Sequence, residues 1–242
     1  MLDIPWLRMD DVRFPAPTTA LKEPNGLLAV GGDLSPQRLL QAYAAGIFPW
    51  YEAGQPILWW SPDPRMVLRP QDVHIARSLG RFIRSCPYTI TMDKAFTEVM
   101  QHCASSRMAV SGTWITDEMQ QAYTRMHNLG HAHSVEIWHE QSLVGGLYGI
   151  ALNNIFFGES MFSLAANTSK IAFVCLCRQL ESWAFRLVDC QLPTAHLRSL
   201  GASEMPRREF LQELQLSAGC PVPARNWVFP DHKPNTLLMR RK

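Results

Sequence analysis

Two spacings of apolar side chains alternate along this chain, and they predict its elements. Leu27-Leu28-Ala29-Val30 is a short apolar run stopped by Gly31-Gly32-Asp33, and it reads as a buried strand. Ser35 before Pro36 opens a helix, a capping hydroxyl followed by proline at the first helical position. That helix, 36–45, carries Leu39, Leu40 and Tyr43 on one side and stops at Gly46. Ile57-Leu58-Trp59-Trp60 predicts a strand with its two indoles on opposite faces, and Ser61-Pro62-Asp63-Pro64 breaks it. Between 74 and 85, Ile75, Leu79, Phe82 and Ile83 form the apolar stripe of an amphipathic helix. Residues 88–92 alternate as a strand, and Asp93 is placed to cap a helix reaching about 105. A second helix covers about 116–129 and ends at Gly130.

Three apolar runs follow, 132–139, 143–152 and 155–162, separated by turn residues, and predict an antiparallel meander. Gly145, Gly146, Gly149 and Gly158 inside them predict bulges or close approach of a ligand to the backbone. A long helix, about 168–186, precedes the strand Leu187-Val188-Asp189-Cys190-Gln191, and Pro206 opens a last helix to about 214. The break at 61–64 separates a small N-terminal α/β domain, 1–64, from a larger domain, 65–242. Meander, long helix and strand is the element order of acyl-CoA-type N-acyltransferases. The expected fold class is therefore α+β, the larger domain GNAT-like, with a mostly antiparallel sheet flanked by helices.

The composition, 242 residues with 47% hydrophobic and 18% charged, is that of an ordinary globular chain. A formal net charge of +2 leaves any nucleic-acid surface to local clustering. Such a cluster exists: Arg77, Arg81 and Arg84 share one helix face with no acid among them, and Arg65 and Arg69 add to the local excess. Repelling arginines would be relieved by phosphates along a nucleic-acid backbone; the plainer reading is a solvated basic face. No apolar run nears the ~20 residues that span a bilayer, and the first residues lack a secretory pattern. A cytoplasmic chain with its six cysteines reduced is expected. Trp50, Trp59, Trp60 and Trp114 lie within two residues of a Gly, Pro or Ser, which calls for a binding reading, a base stacked on the ring, beside the core reading.

Alternation on the strand 187–191 puts Asp189 and Gln191 on one face and Cys190 on the other. A carboxylate and an amide at a strand end suggest an active-site floor, with Cys190 in the core rather than paired with His196 as a nucleophile. Enzymes of this element order cradle coenzyme A with a glycine turn at the long helix. Here Ser163-Leu164-Ala165-Ala166-Asn167-Thr168 has none, which points to an acylated RNA as donor instead. His127, His131 and His133 lack a nearby cysteine to complete a zinc set, so no metal is expected.

Several runs carry a resemblance to a known family. They include Glu23-Pro24-Asn25-Gly26-Leu27-Leu28, Gly31-Gly32-Asp33-Leu34-Ser35-Pro36, Gly46-Ile47-Phe48-Pro49-Trp50 and Trp59-Trp60-Ser61-Pro62-Asp63-Pro64-Arg65. They continue with Gly112-Thr113-Trp114-Ile115, Gly130-His131-Ala132-His133-Ser134-Val135-Glu136, Gly158-Glu159-Ser160-Met161-Phe162 and Asp189-Cys190-Gln191. Across roughly 13–211 the chain resembles the leucyl/phenylalanyl-tRNA–protein transferases. The resemblance implies a cytoplasmic enzyme of the N-end rule that moves Leu or Phe, less often Met, from aminoacyl-tRNA to an N-terminal Arg or Lys. It implies that Trp50 and Trp114 hold the terminal adenosine, and that Arg77, Arg81 and Arg84 meet the tRNA backbone. Asp189, Gln191 and Glu159 would lie at the reaction centre. Leu147, Phe156, Met161, Phe173, Leu176, Leu180 and Val188 would line the donor side-chain pocket. A monomer is expected.

Aminolysis of a tRNA ester needs a neutral aligned amine and a stabilised oxyanion, with no cofactor. A neutral amide is hardly basic, so Gln191 reads as an orienting group. Asp189 either orients it or takes the proton, and the ribose hydroxyl is the other acceptor. The rival readings are a coenzyme A-dependent N-acyltransferase, another tRNA-dependent peptidyl transferase, and a non-catalytic RNA-binding module.

Overall fold

The computed structural model describes residues 4–111, 114–219 and 226–238. Its N-terminal part is a four-stranded sheet in the order β1-β2-β4-β3, from β1 (Trp6–Leu7), β2 (Leu27–Gly31), β3 (Phe48–Pro49) and β4 (Leu58–Trp60). Between β2 and β3 runs α1 (Pro36–Ala44), where Ser35 caps as expected, its hydroxyl accepting from the Arg38 N–H. The two indoles of β4 divide as alternation predicts. Trp59 is fully buried and donates to the Gly31 carbonyl at 2.8 Å. Trp60 faces the other way and donates to the Trp50 carbonyl at 2.7 Å.

The larger sheet uses β5 (Arg65–Leu68), β6 (Thr89–Met92), β7 (Ala132–His139), β8 (Ser142–Leu152), β9 (Ile155–Ser163), β10 (Leu187–Gln191) and β11 (Ser203–Met205). Their spatial order is β11-β5-β10-β9-β8-β7-β6. The pairings are antiparallel except β9 with β10, which run parallel and are joined by the long helix α5 (Thr168–Ser182). A parallel pair cannot be closed by a tight turn, and α5 supplies the crossover. One face of the sheet packs with α3 (Phe96–Ser111), α4 (Asp117–Asn128) and α1; Tyr148, Ile155 and Phe157 lie there. The opposite face, with Leu147, Phe156 and Val188, packs under α5 and α2 (Arg77–Ser85). Three shorter or later helices, α6 (Ala195–Ser199), α7 (Arg207–Ala218) and α8 (Pro234–Leu238), complete the described chain. The protein is thus α+β with a mostly antiparallel sheet flanked by helices. Among the described residues no helix is long and apolar enough to cross a membrane.

Three local readings change. The strand β5 was not expected, because Arg65-Met66-Val67-Leu68 follows a proline-rich break, yet all four residues are buried between β11 and β10. Asp93 does not cap α3. It takes a left-handed φ of 55° and accepts from the Ser134 N–H at 2.8 Å, with the His133 ring at 2.7 Å. Glu136 serves the helix start instead, accepting from the Ala95 N–H at 3.4 Å. Finally, α5 stops at Ser182, short of 186, because Ala184 turns to φ 58° to enter β10.

Gly149 is required by close approach. A Cβ there would lie 2.2 Å from the Phe157 carbonyl oxygen and 2.6 Å from the Phe156 ring. Gly149→Ala should therefore lower stability by about 1–3 kcal/mol, an overpacking cost. Denaturant unfolding should show a lower midpoint at unchanged slope.

Candidate active site

The parallel ladder between β9 and β10 holds as far as Asp189 opposite Phe157, and there the two strands part. A cavity of about 380 Å³ opens at the split, lined by Gly158, Glu159, Ser160 and Met161 of β9 and by Cys190 and Gln191 of β10. Gln191 turns to a left-handed φ of 63°, and the register against β5 shifts between Asp189 and Gln191. Strict alternation therefore fails at the strand end. Gln191 and Cys190 both reach the cavity, while Asp189 stays beneath it. The expectation that Cys190 packs away from the site is corrected for this reason. Its thiol is nonetheless held far above its usual range by burial, which makes it a poor nucleophile.

The cavity has an apolar end and a polar end. Leu147, Phe156, Met161, Phe173 and Leu176 form the apolar walls, and Phe48, Trp50 and Trp114 flank it. Trp50 is 41% exposed and rests on Trp60, their ring centroids 5.5 Å apart. Leu180 and Val188 do not line this cavity. Leu180 lies a turn beyond Leu176 on α5, and Val188 sits opposite Phe156 before the split; both are fully buried core.

The polar end centres on Glu159. Tyr43 of α1 donates to its Oε1 at 2.7 Å, Tyr123 of α4 donates to its Oε2 at 3.0 Å, and Gln191 Nε2 donates to Oε1 at 3.0 Å. The two tyrosine hydroxyls also contact each other. Burial pushes the Glu159 carboxyl up to about 7, with Asp189 adding to the rise against the tyrosine and Gln191 hydrogen bonds. Burial and the neighbouring carboxylate raise both phenols well above their usual range, so they remain donors at neutral pH.

Beneath this lies a buried ion pair. Arg65 donates from Nε to Asp189 Oδ1 at 2.8 Å and from Nη2 to Oδ2 at 2.6 Å, with both side chains fully buried. The guanidinium sits 4.7 Å from the Phe48 ring centroid and 4.8 Å from that of Phe210. Asp189 Oδ1 also accepts the Gln191 backbone N–H at 3.0 Å. Asp189 therefore fixes the backbone turn that presents Gln191, and it faces Arg65 beneath the cavity, whereas Glu159 lines the cavity itself. Arg65 does not contribute to a basic surface as its sequence neighbourhood suggested, and neither does Arg69, which pairs with Glu213 at 2.9 Å. The strand β5 pulls Arg65 under the sheet, and α7 supplies the acid for Arg69.

Arg77, Arg81 and Arg84 stand exposed along α2 and line a groove separate from the cavity. None of the three has an acidic partner among the described residues. The three histidines considered for metal have other engagements. His127 stacks on Phe96, His133 binds Asp93 and stacks on Trp227, and among the described residues no three His, Cys, Asp or Glu side chains group as metal ligands. Tyr43, Tyr123 and Arg65 were not singled out as site residues. Tyr43 falls on an apolar helix face and reads as core; for both tyrosines the available signal is a hydroxyl on a buried stripe, which needs a partner.

Comparison with known proteins decides the family. A model described as leucyl/phenylalanyl-tRNA protein transferase matches residues 67–215, and one described as its N-terminal domain matches 32–63. A leucyl/phenylalanyl-tRNA–protein transferase of Stutzerimonas stutzeri is 55% identical over 222 residues, 92% of this chain and 98% of that protein. One of Nitrosospira multiformis is 56% identical over 230 residues, 95% of this chain and 98% of that protein. This chain belongs to the leucyl/phenylalanyl-tRNA protein transferase family. Among solved structures, a GCN5-related N-acetyltransferase from Kribbella flavida is a distant likeness, with TM-score 0.36 and 11% identity over 71% of this chain and 61% of that one. Within the transferase family match, the site draws on both segments. Tyr43 and Trp50 come from the first, Tyr123, Glu159, Asp189 and Gln191 from the second, and Arg65 lies in the short gap between them.

Proposed function

We propose that this chain transfers leucine or phenylalanine, and less often methionine, from aminoacyl-tRNA to proteins bearing N-terminal arginine or lysine, the tagging step of N-end rule degradation. It would act as a cytoplasmic monomer without metal or cofactor, its domains 1–64 and 65–242 sharing one site. The observation that carries the reading is the two-ended cavity. Its apolar walls suit an aliphatic or aromatic side chain, and Glu159 with Gln191 waits where the ester carbonyl would follow. Trp50 and Trp114 at its edge offer faces for the terminal adenosine, a stacking worth roughly 1–3 kcal/mol per base.

The chemistry follows from the hydrogen bonds. Gln191 spends an N–H on Glu159, which leaves its carbonyl oxygen to accept an N–H of the incoming amine. The amine nitrogen attacks the ester carbonyl carbon, and the tetrahedral intermediate collapses by releasing the ribose oxygen. Glu159, poised near neutrality, takes the ammonium proton and returns it to that leaving oxygen. Asp189 is a positioning residue, held by Arg65. A cationic acceptor side chain also gains from a carboxylate at the cavity floor.

Radiolabelled Leu-tRNA with a peptide beginning in Arg should yield labelled peptide. If the label stays on tRNA under saturating peptide, the reading falls, and RNA binding alone becomes the better account. Replacing Arg77, Arg81 and Arg84 together with Gln should weaken tRNA binding and flatten its salt dependence, by about 0.7–0.9 in log–log slope for each phosphate no longer held. A filter-binding salt series measures this, and an unchanged slope would make α2 a solvated face.

A further inference from the structure

The groove beside α2 has a fourth guanidinium at its wall, and that one is not exposed. Arg178 of α5 is only 9% exposed, yet it lines the groove together with Arg77, Arg81 and Arg84. Its Nη1 donates to Glu181 Oε2 at 2.8 Å, and its Nε is buried with no hydrogen-bond partner. Glu181 is itself 37% exposed, so it is a partly solvated counter-ion. Asp72 and His74 also line the groove. The groove lining thus carries four guanidinium groups against one carboxylate, Asp72, with Glu181 paired to Arg178 from outside the lining. A buried guanidinium with an unfilled donor is costly unless something binds it. A tetrahedral, doubly coordinating anion fits a planar fork of donors.

We infer that Arg178 is a fixed anchor for one backbone phosphate of the RNA donor, a role that rests on the transfer reading above. The three exposed arginines must each give up rotamer freedom to hold a phosphate, whereas Arg178 is already held by packing and by Glu181. The exposed ones supply attraction, and Arg178 supplies register. It also belongs to the same helix as the donor cavity. Phe173 and Leu176 line the cavity and Arg178 lines the groove, so one rigid element spans both. A phosphate seated on Arg178 fixes where the acylated end of the same RNA meets the cavity.

The test compares two donors, full-length Leu-tRNA and 3′-leucyl-adenosine, which carries the ester and the base but no backbone phosphates. Arg178→Gln should raise KM for Leu-tRNA about tenfold, the loss of one charge-assisted hydrogen bond. Its kcat at saturation should stay within about twofold, and transfer from 3′-leucyl-adenosine should be unchanged, since that donor never reaches the groove. Arg178→Lys keeps the charge and should recover the salt dependence of binding. Uncharged tRNA titrated against salt judges the groove even where transfer fails: Arg178→Gln should lower the log–log slope by about 0.7–0.9, the share of a single phosphate. An unchanged KM for Leu-tRNA with an unchanged slope overturns the inference. So does an equal loss with both donors, which would make Arg178 a packing residue. Absence of transfer by the unaltered protein from either donor would strike the transfer reading alone.

Discussion

Asp189→Ala should lower the unfolding free energy by about 3–5 kcal/mol, because it strands Arg65 as an uncompensated buried charge. Both side chains are 0% exposed, and Arg65 lies between Phe48 and Phe210 with no route to water. Transfer should fall with it. The Gln191 N–H loses its acceptor, and the left-handed turn that aims the amide into the cavity loses its tie. Two effects in one variant are separated by a second one. Arg65→Met combined with Asp189→Leu removes both charges and should recover most of the stability, since an apolar pair of similar volume replaces a buried ion pair at little cost. Transfer by the double variant should stay low, because the Gln191 tether is still missing. Urea unfolding and the labelled-peptide assay measure the two quantities. If the double variant regained full turnover, Asp189 would be structural only.

Glu159→Gln should cut kcat by about 10²–10⁴-fold, the usual weight of a positioned proton acceptor. The pH profile is more diagnostic than the size. Burial holds the Glu159 carboxyl at about 7, and a free α-amino group titrates near ~7.7–8. Both must lose a proton for attack. Below both values, log kcat/KM against pH should therefore rise with slope two for the unaltered protein and slope one for Glu159→Gln. Slope one in both would remove Glu159 from the proton path and leave the ribose hydroxyl. Stability carries its own sign. Between the ordinary carboxylate range and about 7 the native state holds a proton that the unfolded chain has released. Stability should then fall as pH rises through that window and level off above it. Glu159→Gln should flatten this portion of the curve.

Most elements were legible because their signals are local. Ser35-Pro36 caps α1, alternation sorts Trp59 from Trp60, and the turn residues at 153–154 separate β8 from β9. The candidate site was legible in part, through Gln191, Glu159 and the cavity wall. What escaped depended on long-range partners. Arg65 read as one more surface arginine until Asp189, 124 residues away, was seen to hold it. Tyr43 reads as part of an apolar helix face and Tyr123 carries no reading, because the partner that both need, Glu159, lies 116 and 36 residues away. The misplaced residue was Gln191: its positive φ turns it from the face of Asp189 to that of Cys190, so the two share the cavity where alternation would part them.

The polar network joins Tyr43 of α1, Tyr123 of α4, Glu159 of β9 and Gln191 of β10, with Asp189 and Arg65 of β5 beneath it, so its members come from five elements far apart in the chain. The centre consequently has no local version that a fragment could retain. It acts as a coincidence detector for folding: the three donors meet the Glu159 carboxyl only once α1, α4 and β10 have all packed against β9. The site is thus assembled by the completed fold rather than by any one stretch of the chain.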